Sequence, residues 1–332
     1  MKVLNLSIIG KYIELTVVTF KQVLVLNLIL IALILSGCTS VQYTDKKEKQ
    51  NYLEFRNSQQ SFISTDGEIK YIDKGQGPAI LLLHGVPSSS WLYRKMIDGL
   101  ATSGYRVIAP DMLGFGSSAN PDGYDVYAPA QHSKRILALM DSLNINKWAH
   151  VMHDAGGVWT WELAKQAPHR LSHLIILNTI IFEEGFNPPI RMDRGMAASF
   201  SMWLYENPVT SSTLLDQLFK EGLYNKSLSM DGFKGYQTPL REGKTNGMYQ
   251  FFTNTCNNLP QYDKTINQLN LPVAVIWGKD DEILKWEPQK QQVMDSLNID
   301  EKNVHVIDAG HFIQEEVPEV VNSHILHFLA VN

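Results

Sequence analysis

Val151-Met152-His153-Asp154-Ala155-Gly156-Gly157 stands where a strand-like run, WAHVM (148–152), gives way at once to a helical pattern, VWTWELAKQ (158–166). Small residues after Asp154 let a strand and a helix approach closely through a tight turn, and the apex of such a strained turn is where a nucleophile is presented. Here the apex residue is an aspartate. No Gly-X-Ser-X-Gly occurs anywhere in the chain, which disfavours serine esterase or lipase chemistry.

Outward from this turn, short apolar runs alternate with longer helical patterns. The runs are IKYIDKG (69–75), AILLLHG (79–85), RVIAPD (106–111), WAHVMHD (148–154), LSHLIILNT (171–179), LPVAVIWG (271–278) and NVHVIDAG (303–310). Most are almost continuously apolar, as strands buried on both faces must be. The alternation predicts an α/β fold, a mostly parallel sheet with helices on both faces, over residues 61–332. Between Ile181 and Gln268 the rhythm breaks into a stretch rich in Met, Phe, Tyr and Trp at helical spacing, which reads as a helical insertion, 182–268, lying over the sheet.

Catalytic groups in open parallel sheets gather beyond the carboxyl ends of the strands. Gly278-Lys279-Asp280-Asp281 follows one strand and Asp308-Ala309-Gly310-His311-Phe312 follows the next. With Asp154 they give the chain order nucleophile, acid, histidine. Each alone reads equally well as a capping aspartate or a satisfied surface histidine; their joint order at successive strand ends is the stronger signal. Leu83-His84-Gly85-Val86-Pro87 and Asp111-Met112-Leu113-Gly114-Phe115-Gly116-Ser117 are further strand-end loops, the second readable as a plain glycine-rich turn.

These segments, with SWLYRKM (90–96), HDAGG (153–157), WGKDD (277–281) and DAGHFIQE (308–315), resemble the haloalkane dehalogenase and epoxide hydrolase branch of the α/β-hydrolases, the dehalogenases most closely. The resemblance implies a helical cap over 182–268, Asp154 as nucleophile, His311 as base and Asp281, rather than the adjacent Asp280, as the acid that orients it. It also implies an oxyanion hole from the backbone amides of Val86 and Ala155.

An aspartate is ionised at neutral pH and attacks an electrophilic carbon without a base to activate it. The expected product is an Asp154 ester, formed as a halide leaves or an epoxide opens, which a water activated by His311 then hydrolyses. The leaving group separates the two activities. A halide wants donors such as an indole N–H, and an epoxide oxygen must gain a proton, as from a phenol. Dehalogenases carry a Trp directly after the nucleophile, where this chain has Ala155, and often an Asn or Glu where it has Val86. The cap candidates are Trp203 for a halide and Tyr205 and Tyr249 for an epoxide, each equally readable as core packing. His153, before the nucleophile, resembles epoxide hydrolases. The expected activity is dehalogenase-like hydrolysis of a small apolar substrate with water as co-substrate. The alternatives are an epoxide hydrolase and, more remotely, an inactive lipid-anchored binding protein. No cofactor or metal is expected.

The chain has 332 residues, 44% hydrophobic and 19% charged, with a formal charge of −5. No basic tract marks it for nucleic acid. Its two cysteines, Cys38 and Cys256, build neither a disulfide framework nor a cysteine-ligated zinc site. Val23–Leu35, VLVLNLILIALIL, is an uncharged run too short for a confident spanning helix and suited to the apolar core of a signal peptide. Leu35-Ser36-Gly37-Cys38 after it resembles the bacterial lipoprotein box. The expectation is a leader over 1–37, unusually long before Lys21, lipidation at Cys38, a polar tether over 38–60, and export to the periplasmic face of the outer membrane. The alternative is an uncleaved anchor that happens to end in a cysteine.

Overall fold

The computed structural model describes residues 41–188 and 190–332, so the leader and Cys38 lie outside the described residues. The strands are β1 (Gln42–Thr44), β2 (Gln60–Ser64), β3 (Gly67–Lys74), β4 (Ala79–Leu83), β5 (Arg106–Pro110), β6 (Trp148–Asp154), β7 (Leu171–Thr179), β8 (Ser227–Ser229), β9 (Val273–Gly278) and β10 (Val304–Ile307). Eight of them form one sheet in the order β10-β9-β7-β6-β4-β5-β3-β2. Pairing is parallel from β5 through β10, and antiparallel where β3 meets β5 and β2. Every residue of β6 and β9 is buried, which is why these runs carry no alternating polar positions. Helices Arg94–Thr102 and Pro318–Val331 pack together on one face of the sheet, and helices Pro129–Ser142 and Gly156–Gln166 on the other.

Register decides what meets at the sheet's carboxyl edge. Leu83 pairs with Met152, so the chain after β4 and Asp154 emerge side by side. Leu177 pairs with Ile276, and Ile307 with Gly278, so the ends of β7, β9 and β10 reach the same level. Residues separated by more than 200 positions in sequence thus share one ledge.

Between β7 and β9 the chain forms helices Met196–Glu206, Thr210–Gly222, Met230–Arg241 and Asn246–Gln250, the last running into a π-helical turn at Phe251–Thr255, then Asp263–Ile266. Phe219 and Tyr236 of this insertion pack on Phe312, just past β10, with ring centroids 5.1 and 6.3 Å apart. The insertion is therefore seated on the loop that carries His311.

The stretch expected to be a polar tether is instead packed on the body from Val41 onward. β1 pairs in parallel with β8, and Tyr52 and Phe55 of helix Tyr52–Asn57 are buried edgewise against Trp91. Only four apolar anchors hold it, Val41, Tyr43, Tyr52 and Phe55, too few and too irregular to show as a periodic pattern. The charged residues do structural work as well. Glu48 accepts from Arg94, whose guanidinium grips Glu315 through both oxygens at 2.5 and 2.9 Å; Lys95 and the Tyr236 hydroxyl complete Glu315's shell. These contacts hold the buried Glu315 carboxyl down to about 2 against the opposing cost of its burial. Among the described residues no helix is long and apolar enough to cross a membrane.

Candidate active site

Asp154 ends β6 in the left-handed region, at φ +51°. A non-glycine residue held there costs about 1–3 kcal/mol, and such strain persists only where the surroundings over-determine it. Two glycines make the turn possible. A Cβ on Gly156 would stand 2.8 Å from the carbonyl oxygens of Leu83 and His84, and one on Gly85 would run into the Asp154 carboxylate. The turn projects the carboxylate into a site where it is only 7% exposed.

Oδ1 of Asp154 accepts from the Val86 amide at 2.7 Å, and the Ala155 amide also favours the charged carboxylate. The Val86 donor is itself held in place. His84 Nε2 accepts from the Met112 amide at 2.9 Å, which leaves the ring proton on Nδ1, 2.7 Å from the Gly85 carbonyl. That carbonyl and the Val86 N–H belong to one peptide unit, so the imidazole fixes the plane of the group that faces Asp154. His84 lay in a quoted motif but drew no role from sequence; the ring's partners are 28 and 1 residues away, and only the first reveals the tautomer.

His311 Nδ1 lies 2.8 Å from Asp281 Oδ2, and its Nε2 stands 3.8 Å from Asp154 Oδ2. The neighbouring Asp280 is exposed and makes no such contact. Asp281 is fully occupied: Oδ1 accepts from the amides of Ile283 and Leu284, both at 2.9 Å, and Oδ2 also accepts from Asn178 Nδ2 at 2.7 Å. Asn178 closes the arrangement by accepting from the Gly278 amide at 3.0 Å, so one side chain ties the end of β7 to the end of β9 and to the acid. Sequence reading passed over Asn178. The signal was present, a polar residue at a strand's carboxyl end in an otherwise apolar run. His153 packs on His311 with ring centroids 4.5 Å apart, and its Nε2 lies 2.9 Å from the His311 carbonyl, 158 residues along the chain.

Burial pushes the Asp154 carboxyl upward, opposed by His311 and the two amides, and the net direction is up. Burial alone would lower His311, but Asp281 beside Nδ1 and Asp154 beyond Nε2 outweigh it, and the net shift is again upward. The two amides and the imidazole favour the charged carboxylate against the burial that disfavours it.

Two of the three cap candidates, Trp203 and Tyr249, lie elsewhere. Trp203 is 50% exposed and stacks on Phe200 with ring centroids 5.5 Å apart, without contact to Asp154 or His311. Tyr249 lines an outer cleft of about 440 Å³ with Tyr124, Arg194 and Glu206, and its hydroxyl accepts from the Gly195 amide at 3.1 Å. Tyr205 packs within the cap, where burial and then the Glu221 carboxylate push its phenol up to about 12. Their helical spacing carried no information about which side chains face inward. Cys256, at the end of the π-helical turn, is buried, and burial followed by the Asp154 charge raises its thiol.

The sheet order and the strained aspartate turn at its carboxyl edge are those of an α/β-hydrolase. A family model for the alpha/beta hydrolase fold matches residues 78–318, and the chain belongs to that family. Its similarities are to enzymes of several kinds. It is 27% identical over 310 residues to a cis-3-alkyl-4-alkyloxetan-2-one decarboxylase of Shewanella oneidensis, covering 81% of this chain and 87% of that one. It is 24% identical over 296 residues to the mouse bifunctional epoxide hydrolase 2, covering 79% of this chain but only 53% of that larger protein. Among solved structures, haloalkane dehalogenase DbeA from Bradyrhizobium elkani superposes with a TM-score of 0.64 at 20% identity, over 82% of this chain and 97% of that one.

Proposed function

We propose that the protein hydrolyses a small apolar substrate through a covalent ester on Asp154. The observation that carries this reading is a division of labour within one carboxylate. Oδ1 rests on the Val86 amide, while Oδ2 faces His311 Nε2 across 3.8 Å, too far for a hydrogen bond. Oδ2 is the atom free to attack carbon. As its new bond forms and the leaving group departs, Oδ1 becomes the ester carbonyl oxygen, already seated on the Val86 amide that helps stabilise the later tetrahedral oxyanion. His311 takes a proton from water, the hydroxyl adds to the ester carbonyl carbon, and collapse frees the product and restores Asp154.

Overall likeness puts carbon–halogen cleavage first, but the indoles weigh against it. Ala155 follows the nucleophile, Trp203 lies at the surface, and the indole N–H groups of Trp91, Trp161 and Trp277 are spent on backbone carbonyls. Opening of a strained oxygen ring is the second reading, in which the opened oxygen takes its proton from water. The two curated relatives are named for such rings, an epoxide and an oxetan-2-one. The test is a single turnover in ¹⁸O-water with paired epoxide and haloalkane panels. The expected product carries ¹⁶O taken from Asp154 and the Asp154 peptide gains the label; ¹⁸O appearing directly in the product would sink the ester.

The same proposal includes export and a lipid anchor at Cys38, supported by the apolar run 23–35 and the small residues before the cysteine. Radioactive fatty acid is expected to label the protein and to disappear on Cys38→Ala. Persistent labelling of that variant, or none of the parent, counts against it.

A further inference from the structure

We infer that the outer face of helix Met196–Glu206 docks on a lipid bilayer. Six of the eleven large apolar side chains exposed among the described residues fall between Met196 and Met230. Met196, Phe200 and Trp203, at 82%, 46% and 50% exposure, recur at the spacing of one helical face, and Val209 at 78% follows in the next turn. Single exposed apolar residues are ordinary; a contiguous aromatic patch marks a contact surface. An indole is suited to the boundary between acyl chains and headgroups.

The point where the chain enters the described residues says which surface. β1 is bonded to the insertion itself: the Gln42 amide donates to the Lys226 carbonyl at 2.7 Å, the Tyr43 hydroxyl donates to Asp216 at 2.8 Å, and the Tyr43 ring packs on Phe233. Asp216 lies on helix Thr210–Gly222, which packs against helix Met196–Glu206. Cys38 is four residues before Gln42, a reach of about 14 Å, and the apolar run ends at Leu35, within about 25 Å. Whether attachment is through a lipid on Cys38 or through an uncleaved run, so short a leash keeps β1, and the part of the insertion bonded to it, close to the membrane. The exposed Lys46 and Lys47 beside β1 suit acidic headgroups. This docking is independent of the hydrolytic reading and shares with the anchor reading only the presence of an attachment.

Trp203 supplies its own reporter, since the other six tryptophans are at most 4% exposed. The full chain is reconstituted in vesicles of phosphatidylcholine and phosphatidylglycerol, with and without brominated acyl chains. The expected result is a blue shift of the exposed emission, its quenching by the brominated lipid, and its protection from aqueous acrylamide. Trp203→Phe should remove the quenched component, and Met196→Ser with Val209→Ser should return most of it to acrylamide. Emission equally open to acrylamide with and without vesicles overturns the docking. So does protection already complete without vesicles, which would mean that a second copy or residues 23–35 cover the patch.

Discussion

His311→Gln is expected to stop turnover while leaving the first chemical step intact. Asp154 attacks through Oδ2 without needing a proton removed, so alkylation proceeds with Gln at 311. Hydrolysis of the ester needs a base within reach of water, and loss of a general base costs roughly 10²–10⁴-fold. The variant should therefore accumulate an Asp154 adduct, visible by intact mass as the protein plus the substrate fragment and mapped by peptide digestion. The parent enzyme should show a milder version as pH falls. His311 is held upward by Asp281 and Asp154 against the effect of burial, so the neutral base is lost on acidification. The adduct should thus build up in the parent at acid pH and clear on return to alkaline pH. Full activity of the variant, or an adduct on another residue, removes His311 from the role.

Stability is expected to fall steeply below about pH 6.5, the ordinary histidine value. Four buried histidines, His84, His132, His150 and His153, are pushed down chiefly by burial, His84 to about 4 and His150 to about 3. Two have a second reason written into their hydrogen bonds. His84 Nε2 accepts from the Met112 amide, and His150 Nδ1 accepts from the Trp148 indole N–H at 3.1 Å, so protonation would set two donors against each other. In the unfolded chain these rings take up protons near their ordinary value; folded, they refuse them until far lower pH. The stability they allow is complete above about pH 6.5 and is lost as pH falls. At pH 5 each ring costs about 2 kcal/mol, and four together are comparable with the whole stability of a typical domain. His311, shifted the other way, offsets part of this, while Glu315 adds a further loss below its ordinary range. Urea midpoints at pH 8, 6.5 and 5 check the sign: a curve flat across that range, or rising toward acid, contradicts it.

The strand runs and the order Asp154, Asp281, His311 were legible because each sits in a local pattern of strand, small residues and helix. Asn178, the His84 tautomer and the Glu315 cluster were not, since their partners lie far along the chain and appear only once β4, β6, β7 and β9 align. The misreading of 41–60 has the same origin. Val41, Tyr43, Tyr52 and Phe55 make no amphipathic pattern, and what orders them is a surface supplied by β8, Trp91 and Arg94. Cap residues such as Trp203 announced helices by spacing but not which way each would face.

One contact ties reactivity to enclosure. The backbone amides of His311 and Phe312 both donate to the Gly222 carbonyl, at 2.7 and 3.3 Å, and Glu316 joins the Gly310 and Asn225 amides, each at 2.8 Å. The base is thereby latched to the roof. Lifting the roof at 222–225 would drag His311 off Asp281 and away from Asp154, so a gaping molecule is a disarmed one.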